Sequence, residues 1–65
     1  MISYEPLWET MKKKNITTYR LLQLGINKKT LYNLQHGKNT TLLTIEKLCK
    51  ILNCPISDIV TFIDN

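Results

Sequence analysis

The chain has 65 residues, with nine Lys and Arg against five Asp and Glu and a formal net charge of +4. That length predicts one domain over residues 1–65, and so short a chain commits nearly all its apolar side chains to a core, which leaves little room for a buried catalytic pocket. Its uninterrupted apolar runs never exceed two or three residues, which predicts neither a membrane span nor a secretory leader and leads to an expectation of a cytoplasmic protein.

The helical period dominates, and no segment shows the alternation expected of a hairpin. Pro6 suits a first helical turn; Leu7, Trp8 and Met11 then recur at helical spacing, with Trp8 and Met11 expected in the core and the helix ending near Asn15. Thr17 is the expected N-cap of a short second helix carrying Leu21, Leu22 and Leu24, stopped by Gly25. Ile26 can plug the core from the turn. Asn27 is expected to cap a third helix in which Leu31 and Leu34 share one face, and Gly37 to end it. After the polar stretch Lys38, Asn39, Thr40, Thr41, a fourth helix capped by Thr41 carries the stripe Ile45, Leu48, Cys49 and Leu52, a spacing that predicts a buried Cys49. Pro55 then opens a predicted fifth helix with Ile56, Ile59, Val60 and Ile63. The fold class expected is an all-α, compact bundle of five helices.

Charge is distributed unevenly. From Thr10 through Thr41 the chain carries Lys12, Lys13, Lys14, Arg20, Lys28, Lys29 and Lys38 and no acid. Such a one-signed stretch suits a polyanion, because each base near a phosphate displaces a condensed counterion. The two cysteines, Cys49 and Cys54, are not spaced as Cys-x-x-Cys, and His36 alone cannot complete a four-ligand zinc site with them. They are expected to be reduced and structural, with no metal and no cofactor bound.

A tight turn with glycine at its start and an apolar residue at its centre, Gly25, Ile26, Asn27, is the construction of a helix-turn-helix. The stretch Ile16–Lys38, ITTYRLLQLGINKKTLYNLQHGK, resembles the DNA-binding domain of the phage repressor/Cro family, and Thr44–Cys54 resembles that family's fourth helix. The likeness runs over nearly the whole chain and implies a lambda-repressor-like fold. Two departures stand out: the second helix or its turn is one residue short of the usual spacing, and Thr18 replaces a glutamine that commonly touches phosphate.

At 100° per residue, Lys29, Tyr32, Asn33 and His36 lie opposite the Leu31/Leu34 face. In a helix-turn-helix that outer face enters the major groove, so Lys28, Lys29, Thr30 and Asn33 are the candidates for base edges: lysine for guanine, asparagine for adenine, a threonine methyl for thymine. Thr17, Thr18, Tyr32, Lys38, Asn39 and Thr40 are the candidates for phosphate contacts. His36 is expected to cap helix-three carbonyls or to sit in solvent. Lys12 to Lys14 either touch flanking backbone or merely solvate helix one.

The resemblance implies a regulator of transcription that binds double-stranded DNA, typically a repressor, associated with the nucleoid when bound. The family usually pairs on two half-sites, and Leu43 with Phe62 offers an apolar surface for a homodimer. An antitoxin-like or adaptor module that keeps the fold without reading bases is the alternative, opposed by Lys28 and Lys29. A hydrolase is not expected, since no nucleophile, base and acid come together in sequence. No small-molecule ligand is implied.

Overall fold

Four helices are each stopped by a residue in the left-handed region, and a short strand at either end of the chain closes them into one body. The computed structural model describes residues 1–64, in the order β1 (Ile2–Ser3), α1 (Glu5–Lys13), α2 (Thr18–Gln23), α3 (Lys28–Gln35), α4 (Leu42–Leu52), a 3-10 turn (Ile56–Asp58) and β2 (Thr61–Phe62). α1 starts with Glu5 in its first turn and Pro6 beside it, and ends with Lys12 and Lys13, charges that complement the helix dipole at both ends. Its helical residues stop at Lys13, close to the end expected near Asn15, and Asn15 itself takes a φ of 56°.

The core is built from Tyr4, Leu7, Met11, Leu21, Ile26, Leu31, Leu34, Ile45, Leu48, Leu52 and Ile59. Met11 lies inside it, as expected, whereas Trp8 and Cys49 are half-buried and pack against it from outside. Cys49 sits at the edge of the α4 stripe, so Ile45, Leu48 and Leu52 take the innermost places.

The predicted fifth helix is absent. Pro55 is extended, with a ψ of 166°, only one 3-10 turn follows, and the chain then enters β2, which pairs antiparallel with β1 in the register Ile2 with Phe62 and Ser3 with Thr61. Ile63 N–H donates to the Met1 carbonyl at 2.8 Å, extending that pairing. Two causes favour this outcome. The segment is rich in β-branched Ile, Val and Thr, which lose rotamer freedom in a helix, and the N-terminal backbone supplies a partner for it. The apolar spacing that suggested a helix divides accordingly: Ile59 is fully buried and Val60 partly so, while Ile56 and Ile63 are exposed. The turn is fixed to α1 by the Thr10 hydroxyl, which donates to the Asp58 carbonyl at 2.8 Å.

This division is measurable. Ile59→Ala should destabilise the protein by about 2–5 kcal/mol as a core truncation does, and Ile63→Ala by no more than about 0.5 kcal/mol as an exposed change does, in urea unfolding followed by circular dichroism. A helix burying its apolar stripe would make the two losses alike.

Candidate nucleic-acid interface

The turn between α2 and α3 is set by backbone geometry. Thr17 Oγ1 accepts the Arg20 amide at 3.2 Å to open α2, and Asn27 Oδ1 accepts the Thr30 amide at 2.8 Å to open α3. Between them Gly25 has a φ of +105°, and the Ile26 amide donates back to the Leu21 carbonyl at 3.0 Å. This is a Schellman closure, and it turns Ile26 into the core. The exposed carbonyl of Gly25 is taken by Lys47 Nζ of α4 at 3.1 Å, so the turn is braced from a third helix.

α3 is anchored through Leu31 and Leu34, both buried. Lys28, Lys29 and Tyr32 are exposed on it, and Thr30 and Asn33 are half-buried at the borders of the outer face. The helix ends as α2 does: Gly37 has a φ of +66°, and the Lys38 amide donates to the Asn33 carbonyl at 2.8 Å. His36 is exposed, and its Nδ1 donates to the Tyr32 carbonyl at 2.8 Å, so both placements expected of it are met at once. Its ring stacks on that of Tyr32 with centroids 4.0 Å apart, and Lys38 Nζ stands 5.2 Å from the Tyr32 ring centroid. The cation is held near the aromatic face and over the end of α3.

The loop that follows is held by a residue that sequence reasoning passed over. Tyr4 is buried, and its hydroxyl donates to the Lys38 carbonyl at 2.8 Å. A tyrosine just before the first helix carries no periodic signal that would reveal a partner 34 positions away. Lys47 was likewise missed, because its contact is to a backbone carbonyl in a distant turn. Asn39 is exposed and Thr40 half-buried at the rim of this loop; Thr17 is exposed and Thr18 half-buried at the start of α2. Tyr19, next to Thr18, is exposed as well.

Among the described residues the only ion pair is Lys50 with Glu46 at 3.9 Å, on the outside of α4. Lys28, Lys29 and Lys38 therefore face solvent without a carboxylate to neutralise them. Among the described residues no three His, Cys, Asp or Glu side chains gather into a metal-holding group, and no helix is long and apolar enough to cross a membrane.

The model of the Cro/C1-type helix-turn-helix DNA-binding domain matches residues 6–65 of this sequence. The chain belongs to that family. Among solved structures, this Cro/C1-type chain is similar to the transcriptional regulator VanUg, at 26% identity and a TM-score of 0.89, over 98% of this chain and 87% of that one. No curated protein matches it. As a Cro/C1-type domain it is mostly helical, with four α-helices among the described residues rather than five.

The two glycines separate turn geometry from side-chain crowding. At Gly25 an added Cβ would lie 2.7 Å from Lys47 Nζ, and the φ of +105° strains any L residue; at Gly37 nothing stands within 4 Å and the φ suits asparagine. Gly25→Asn should lower stability by at least about 1–2 kcal/mol through backbone strain, and Gly37→Asn by less than about 1 kcal/mol, in thermal melts of the two variants.

Proposed function

We propose that this protein is a sequence-specific double-stranded-DNA-binding regulator of transcription, acting as a single domain that places α3 in the major groove and represses by occupying an operator. The observation that carries this reading is the outer face of α3: bases without acidic partners, on a helix whose two ends are fixed by Asn27 and Gly37. In this reading Lys28, Lys29, Thr30 and Asn33 meet base edges. Thr17, Thr18, Tyr32, Lys38, Asn39 and Thr40 meet phosphates on either side. Thr17 keeps a free hydroxyl hydrogen for that purpose, since its oxygen accepts the Arg20 amide.

Family membership supports the DNA-binding part, and the likeness to a transcriptional regulator supports the regulatory part. Selection of bound fragments from random duplex DNA tests the whole, with enrichment of one motif expected. Lys29→Ala and Asn33→Ala should each cost about 1–3 kcal/mol on the selected site and relax preference at particular base pairs. Lys38→Ala should weaken all sequences alike and reduce the slope of log affinity against log salt by about 1. Unchanged affinity and preference in folded Lys29→Ala and Asn33→Ala would overturn the assignment of α3 as the reading element.

A homodimer on two half-sites completes the proposal. Leu43 and Phe62 are exposed at 77% and 79%. Phe62 joins Ile2, Leu42, Ile56 and Val60 around an apolar groove whose rim includes Asn39 and Thr40. Leu43, expected to act with Phe62, is not among the groove residues; its neighbour Leu42 is. A second copy seated there is the dimer proposed, and helix-turn-helix dimers bind half-sites about 34 Å apart. Phe62→Gln should shift the protein toward monomer in sedimentation equilibrium and weaken binding to a two-half-site duplex more than to a single half-site.

A further inference from the structure

The C-terminus of α4 brings the two cysteines together. Asn53 has a φ of 51°, and the Cys54 amide donates to the Cys49 carbonyl at 3.0 Å. These are the positions whose side chains meet across a Schellman closure. With standard covalent dimensions that backbone bond holds the two Cα atoms within about 7 Å, the reach of a disulfide. Both side chains are free thiols, and both are half-buried rather than sealed in the core, where Leu48 and Leu52 sit instead.

We propose that Cys49 and Cys54 are a paired thiol site that exchanges with low-molecular-weight disulfides and closes to an intramolecular disulfide across the end of α4. The groups around the pair belong to three elements: Asp58 from the 3-10 turn, Lys14 from the end of α1, and the two thiols themselves. Burial pushes the Cys54 thiol up, the neighbouring Cys49 and Asp58 push it further, and Lys14 opposes them. Exchange through Cys54 therefore runs faster as pH rises, since the thiolate is the attacking species.

With glutathione disulfide as the oxidant, one protein thiolate attacks a glutathione sulfur, breaking its S–S bond and expelling one glutathione thiolate. The second protein thiolate then attacks the mixed disulfide at the protein sulfur and expels the other glutathione thiolate. The protein loses two electrons and two protons, and one glutathione disulfide becomes two glutathione thiols. The product ties the end of α4 to the segment that carries Ile56 toward the apolar groove, and it forms independently of any DNA contact.

The test is intact-mass analysis of the folded full-length protein after incubation with glutathione disulfide, acid quench and alkylation. Wild type should become lighter by two hydrogen atoms and lose both alkylatable thiols, with dithiothreitol restoring them. Cys49→Ser and Cys54→Ser, lacking the resolving partner, should each accumulate one glutathione adduct instead. Wild type that keeps both thiols, stops at a stable glutathione adduct, or forms mainly cross-linked dimers would overturn the proposal. The wild-type measurement decides this even if a serine variant folds poorly.

Discussion

Each of the four α-helices among the described residues is closed by a residue with positive φ, and the rest of the architecture depends on that constraint. Asn15, Gly25, Gly37 and Asn53 occupy the left-handed region, and the residue after each donates its amide into the last helical turn: Ile16 to Met11, Ile26 to Leu21, Lys38 to Asn33 and Cys54 to Cys49. The closure satisfies carbonyls that a helix end would otherwise leave unpaired, and it sends the following side chain back toward the helix it leaves. Three of the four following residues, Ile16, Ile26 and Cys54, use that direction to pack on or in the core. The fourth is Lys38. At the end of α3 the same backbone device directs a cation to the aromatic face of Tyr32, so one local rule builds the core three times and the outer surface once.

A 65-residue chain has little spare burial with which to hold such turns, and polar contacts between distant parts assist. Lys47 braces the Gly25 carbonyl, Tyr4 the Lys38 carbonyl and Thr10 the Asp58 carbonyl. Each side chain reaches a backbone acceptor in a turn, a loop or the last residue of the 3-10 turn, outside the α-helices and the ladder. Each therefore removes the cost of an unpaired carbonyl while fixing a turn against a helix. Two of the three brace segments that flank α3.

What the sequence made legible follows from the range over which each signal acts. The caps Thr17, Asn27 and Thr41, the stops at Gly25 and Gly37, and the Leu31/Leu34 and Ile45/Leu48/Leu52 faces depend on residues within a few positions of one another, and periodicity with turn chemistry reveals them. The outer face of α3 was legible for the same reason, as the complement of its buried face. The pairing of β1 with β2 was not, because two-residue strands have no period and their partner lies at the other end of the chain. Ile56, Ile59, Val60 and Ile63 satisfy a helical template by spacing alone; the β-branched composition weighs against it, and Ile2 and Ser3 alongside supply the alternative partner. The braces by Tyr4 and Lys47 were hidden likewise: each is one side chain meeting a remote backbone atom.

The pairing of the chain's two ends has a kinetic consequence. The contacts that form the helices and their closures are local, whereas Ile2 meets Phe62 only after nearly the whole chain has been brought round. Closing so long a loop costs entropy that a two-residue ladder repays poorly by itself. The ladder is therefore expected to complete after the helices have docked and to exchange its amide hydrogens before theirs. Tyr4 follows β1 directly and holds the Lys38 carbonyl. The strand that pairs with β2 and the loop beyond α3 thus meet at one phenol, so a change in the seating of β1 and a change in the position of that loop act on the same hydrogen bond.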